Sequence, residues 1–175
     1  KDGSVSVIDE GRGMPVGMHS SGVSALQVIF TVLHAGGKFS SEGGYKTSGG
    51  LHGVGASVVN ALSSWVDVTV FKEGTQYHIR FEKGGTIIGN LEKVQKTSKT
   101  GSIVRFMPDS TIFSTTEFNF SSIVERARED AFLLNEITMV VNDEKNNKTE
   151  SFHYDNGLLA FIDYLNDGRS SLIAP

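Results

Sequence analysis

Residues 35–62 read AGGKFSSEGGYKTSGGLHGVGASVVNAL, and eight of these twenty-eight residues are glycine. The run is too glycine-rich to be core and too patterned to be filler. Gly36-Gly37 and Gly43-Gly44 bracket a segment whose one large apolar residue before Tyr45 is Phe39. Gly49-Gly50-Leu51-His52-Gly53-Val54-Gly55 then leads straight into residues 56–62, which carry helical spacing. Glycine lets a backbone take positive φ and lets a ligand come close to the main chain. The start of the following helix would offer unpaired N–H groups and the positive end of its dipole, so an anion is the natural occupant. A polyphosphate is the first expectation.

Working outward, residues 4–9 (SVSVID) alternate as a strand that ends on a carboxylate, with Val5 and Val7 on one face. Residues 9–15 (DEGRGMP) form a tight turn, two glycines flanking Arg12 and Pro15 fixing the exit. Leu26, Ile29, Phe30 and Leu33 repeat at helical spacing and predict a mostly buried helix over 23–34. Residues 65–72 and 75–82 predict a hairpin turning at Glu73-Gly74. Residues 87–94 and 101–107 predict two further strands. A helix is expected from near Ser122, capped by a box with Glu125. A second hairpin is expected at 137–142 and 149–154, and a last helix at 156–166, with Leu158, Phe161, Ile162 and Leu165 turned to a core. Strands and helices do not alternate regularly. The expected fold class is therefore α+β, a two-layer sandwich of a mixed, mostly antiparallel sheet with helices on one face, and the length suggests one domain over 1–175.

Composition excludes several functions. Sixteen basic against twenty acidic residues give a net charge of −4, which is wrong for a nucleic-acid grip. Cysteine is absent, so there are no disulfides or thiolate metal sites. No signal peptide or long apolar span is recognisable, and a cytoplasmic protein with no membrane partner is expected.

Two phosphate-binding motifs fail on named residues. A dinucleotide fingerprint built on Gly53 and Gly55 would need a third glycine where Val58 stands. A Walker loop built on Gly37-Lys38 meets Phe39 next and Val32 where its first glycine belongs. Taken alone, Asp9 could simply cap the turn after it, and residues 50–55 could be a flexible loop. In this order, with a helix behind them, the pair points to a nucleotide.

The motifs Asp9-Glu10-Gly11-Arg12-Gly13 and Gly50-Leu51-His52-Gly53-Val54-Gly55 resemble the D-x-G-x-G and lid glycines of the Bergerat ATP-binding fold, shared by gyrase, Hsp90, histidine kinases and MutL. The wording of residues 33–39, 43–55, 58–63 and 99–109 is similar to the B subunits of bacterial type II DNA topoisomerases, and residues 45–55 and 110–116 lean toward the topoisomerase IV branch over the gyrase branch.

The resemblance implies ATP as ligand, or an ATP-competitive inhibitor in its place. By it, Asp9 accepts from the adenine amino group, as a buried carboxylate, helped by a water held by Gly13 and Ser102. Met14, Pro15, Ile29 and Val104 form apolar walls and Arg12 the rim. Lys38 and the amides of Gly50, Leu51, His52, Gly53, Val54, Gly55 and Ala56 hold the phosphates. Ser102 stands where the family usually has Thr. Lys72 stands where many gyrases have Arg, which matters for ligands reaching beyond the adenine. His52, with no carboxylate at motif spacing, reads as structural or a lid contact. The family's general base and its Mg²⁺-binding asparagine lie on a helix before residue 4, so no catalytic or metal residue is expected within this chain, which by itself would not hydrolyse ATP. The implied partners are a topoisomerase A subunit and DNA in the full enzyme and a second B subunit on ATP binding. A nucleotide-binding interaction domain without hydrolysis is the alternative.

Overall fold

The computed structural model describes residues 2–34 and 53–167, which fall into two compact units, residues 2–116 and residues from 117 onward. The first unit is built from β1 (Val5–Asp9), α1 (Ala25–Thr31), α2 (Gly55–Ala61), β2 (Ser63–Lys72), β3 (Thr75–Glu82), β4 (Ile87–Ile88), β5 (Glu92–Lys96) and β6 (Gly101–Pro108). Its sheet runs β1-β6-β2-β3-β4, with β5 also paired to β3, and every one of these pairings is antiparallel. The α+β layer expected from the sequence is thus present.

β2 decides which face is covered. Its alternation turns Val66, Val68 and Val70 to one side, and all three are fully buried. The register places Phe106, Val104 and Ser102 of β6 opposite them, and Phe81, Ile79 and Tyr77 of β3 on the far side. Leu26 and Phe30 of α1 seat on this surface, with the rings of Phe30 and Phe81 stacked 5.4 Å apart. Each such apolar side chain contributes about 1.5–3 kcal/mol on burial. α1 is capped by Ser24, whose Oγ accepts from the Gln27 amide at 3.1 Å. It is shorter than the periodicity suggests: Val32 turns to extended backbone, His34 takes φ +61°, and Leu33 is left exposed. Asn60 of α2, buried, donates to the Phe30 carbonyl at 2.8 Å and so satisfies an acceptor left over at the end of α1.

The β2–β3 hairpin turns at Glu73 and Gly74, both at positive φ (52° and 73°), the geometry that matches strand twist in a two-residue turn. The single strand expected at 87–94 is in fact two. Gly89 donates to the Arg80 carbonyl at 2.7 Å and approaches that strand so closely that a Cβ would sit 3.0 Å from the same oxygen. Pairing stops there and resumes at Glu92, opposite His78, with a register shift further along between Gln76 and Tyr77.

The second unit contains α3 (Phe120–Leu133), the hairpin β7 (Met139–Asp143) and β8 (Lys148–Phe152), and α4 (Gly157–Leu165). α3 starts earlier than its expected capping box: Asn119 is the cap, accepting from the Ser122 amide at 3.0 Å. An aromatic cluster joins its elements, with Phe132 stacked on Tyr154 at 3.9 Å and flanked by Phe161 and Tyr164. Of the α4 stripe expected in a core, Leu158, Ile162 and Leu165 are exposed. Phe161 alone of the four turns into that cluster, because α4 meets α3 through its aromatic residues. No helix among the described residues is long and apolar enough to cross a membrane.

Candidate functional site

The site is assembled at one end of the sheet, where β1 ends and the chain must cross to α1. Asp9 is the last residue of β1 and pairs with Ser102, which pairs in turn with Val70 and, through it, Tyr77. Paired residues of antiparallel strands share a face. Asp9 and Ser102 therefore stand on the helix-side face, one row beyond the apolar rows of Val68 and Val66.

From Asp9 the loop passes over the strand ends. The Gly11 amide donates to Asp9 Oδ1 at 3.0 Å, and the Met14 amide to Ser102 Oγ at 3.3 Å. Two glycines permit this close passage. A Cβ on Gly13, at φ +70°, would meet the Phe71 carbonyl oxygen at 2.7 Å, and a Cβ on Gly101, at φ +115°, would land on the Asp9 carbonyl oxygen. Lys72 closes the loop from the side, its Nζ donating to the carbonyls of Arg12 at 3.2 Å and Gly13 at 3.0 Å.

Ser102 is buried, 2 % exposed, whereas Asp9 is exposed. The expectation of a buried carboxylate is thus corrected: among the described residues β1 pairs with β6 alone, and none of them covers the side chain of its last residue. Asp9 also does cap its turn, through Gly11. An ionised carboxylate has more acceptor capacity than one amide uses, so capping and ligand recognition are compatible.

Of the four expected wall residues, Met14, Ile29 and Val104 pack partly buried against one apolar core, together with Ala56 at the beginning of α2. The fourth, Pro15, lines an open groove of about 370 Å³ beside the loop, with Val16, Lys72, Tyr77 and Lys93. Arg12 is on the exposed side of the turn. At the other end of the expected site, Gly53 has φ +62° and Val54 occupies the N-cap of α2 with no side-chain cap. A Cβ at Gly55 would meet nothing within 4 Å among the described residues. Lys38, Gly50, Leu51 and His52 lie outside the described residues.

Two roles were missed from the sequence. Gly101, between Thr100 and Ser102, carries a signal only once β6 is known to pair with β1. Lys72 reaches the loop because even-numbered residues of β2 share the face of Val70, a register that the sequence alone leaves unset. Among the described residues no group of three His, Asp or Glu is gathered that could hold a metal ion.

The antiparallel layer with helices on one face and a glycine turn at its strand ends is the fold expected from the resemblance. The family described as "Histidine kinase-, DNA gyrase B-, and HSP90-like ATPase" matches residues 1–110, which take in the whole six-stranded sheet, and the chain belongs to this family. It is 55% identical over 174 residues to the B subunit of DNA topoisomerase 4 from Streptococcus pneumoniae and 56% identical over 172 residues to that from Bacillus subtilis. These matches cover 98% of this chain but 27% and 26% of the two relatives, so the chain spans about a quarter of their length. Among solved structures, the 43K ATPase domain of Thermus thermophilus gyrase B, in complex with an aminocoumarin, superposes with a TM-score of 0.82 at 38% identity, over 98% of this chain and 43% of that one.

Proposed function

We propose that this chain is the ATP-binding module of the B subunit of a bacterial type II DNA topoisomerase, of the topoisomerase IV kind. The observation that carries the proposal is the pairing of Asp9 with Ser102 at the strand ends, the Met14 amide on the same hydroxyl, beside an apolar surface of Met14, Ile29 and Val104. A carboxylate can only accept when ionised, so it suits the exocyclic amine of adenine; guanine offers a carbonyl at that edge, which would face repulsion. The apolar residues suit the purine faces, with Pro15 and Arg12 at the rim. The start of α2 from Gly53 to Ala56, with no side-chain cap among the described residues, suits the phosphates, with Lys38 and residues 50–52 as further contacts. ATP when bound supplies the phosphoanhydride whose hydrolysis the family performs; the described residues bind and orient it. They gather no Mg²⁺ site, and no step is assigned to the ion.

In the whole protein, ATP capture would bring two B subunits together and couple hydrolysis to DNA strand passage, relaxing and decatenating DNA with an A subunit. The net charge of −4 supports DNA contact through other parts of that assembly. Residues 1–175 would form one ATP-binding domain of a cytoplasmic enzyme.

Calorimetric titration of the chain with ADP, ATP and GTP tests the reading. Adenine nucleotides should bind in preference to GTP. Asp9→Ala, removing a charged hydrogen bond worth about 1.5–3 kcal/mol, should weaken ADP binding roughly ten- to a hundred-fold. Equal affinity for GTP, or no loss in the variant, would refute it.

A further inference from the structure

We infer that Lys72 is a positioning residue for base recognition, acting through the Arg12–Gly13 backbone without itself contacting the base. The inference rests on the adenine reading of Asp9 given above. Residues 10–13 include two glycines, which restrain a backbone less than any other residue, yet this segment must hold Gly11 on Asp9 and Met14 on Ser102. Lys72 is the last residue of β2, on the face that carries Val66, Val68 and Val70, and is thus fixed by the sheet. Its ammonium has three donors. Two of them go to consecutive carbonyls midway between those two anchored amides, at 3.2 and 3.0 Å. The loop is thereby held at three points: Asp9 at its start, Lys72 in the middle and Ser102 at its end.

With the clip gone, the two carbonyls would turn to water and the ordering of the loop would fall to the moment of binding, as lost affinity. Lys72→Met keeps the length of the chain and removes the donors; Lys72→Arg keeps donors for both carbonyls.

The experiment measures ADP affinity by calorimetry and amide hydrogen exchange of Gly11, Gly13 and Met14 without nucleotide, on the 175-residue chain and both variants, with circular dichroism to confirm folding. Lys72→Met should bind ADP about tenfold more weakly and exchange the three loop amides faster. Lys72→Arg should recover both to within about threefold of the parent. If Lys72→Met proves unfolded, Lys72→Gln takes its place with the same expectation. Unchanged affinity and unchanged exchange in a folded donor-less variant would overturn the inference, as would failure of Lys72→Arg to rescue. If the parent chain binds no adenine nucleotide, the adenine reading fails and this role for Lys72 fails with it, while exchange still reports whether the clip orders the loop.

Discussion

Gly101 and Gly17 carry the same side chain and should respond oppositely to a methyl group. Gly101 sits at φ +115° with its missing Cβ directed at the Asp9 carbonyl, whereas Gly17 has open space around it and an ordinary φ. Gly101→Ala should therefore cost more than about 2 kcal/mol, through left-handed strain and collision with backbone that cannot yield. Gly17→Ala should be neutral or stabilising by up to about 1 kcal/mol, because it narrows only the unfolded ensemble. Urea unfolding of the two variants checks this; equal midpoints would contradict the close approach of β1 and β6. The same contact explains why a glycine precedes Ser102: the hydroxyl reaches Met14 only if the chain before it lies flush against Asp9.

At the level of the element, α3 separates two rules of helix initiation. Ser122 and Glu125 match a capping box in sequence, yet the backbone turns helical earlier, with Asn119 Oδ1 on the Ser122 amide. Asn119→Ala should cost about 0.5–2 kcal/mol, and Ser122→Ala, at an exposed position inside the helix, no more than about 0.5 kcal/mol. The reverse order in chemical denaturation would restore the capping box. Sequence could not choose, since both residues are good caps. Helix α1 teaches the complementary lesson. Its period was legible through Leu33, but the helix ends at Thr31 and no described residue buries Leu33, and periodicity alone cannot report where a partner surface stops.

Across the whole molecule, the titrating groups set a window of stability. Asp2, Asp109 and Asp143 each accept from donors in their own turns, Ser4, Thr111 and Asn146. All three are lowered from the usual 3.8, Asp2 to about 2. Depressed carboxylates contribute stability that is present above about pH 4 and lost as pH falls toward 2. His153 is raised from 6.5, first by the Ile137 carbonyl on one ring nitrogen and then by Asp155 on the other. Both partners are acceptors, so the imidazolium satisfies both; its contribution is present below 6.5 and lost as pH rises through the elevated value. Thermal melts should show a plateau from about pH 4 to 6.5 with a decline on either side. His153→Gln should flatten the upper limb. All four groups are solvent-exposed, so the slopes will be shallow.

By itself the sequence determined the kinds and order of most elements, the buried face of the β2–β3 hairpin, the Glu73-Gly74 turn and the family-like glycine motifs, because propensity, periodicity and turn chemistry are local properties of a few neighbouring residues. Only the tertiary structure decided that β1 pairs with β6, leaving Asp9 exposed among the described residues, that Gly89 splits a strand in two, and that Lys72 holds the loop over Ser102. Each of these depends on register between segments that lie, for β1 and β6, about a hundred residues apart, and register is fixed by which apolar rows bury together, something no single stretch of chain contains.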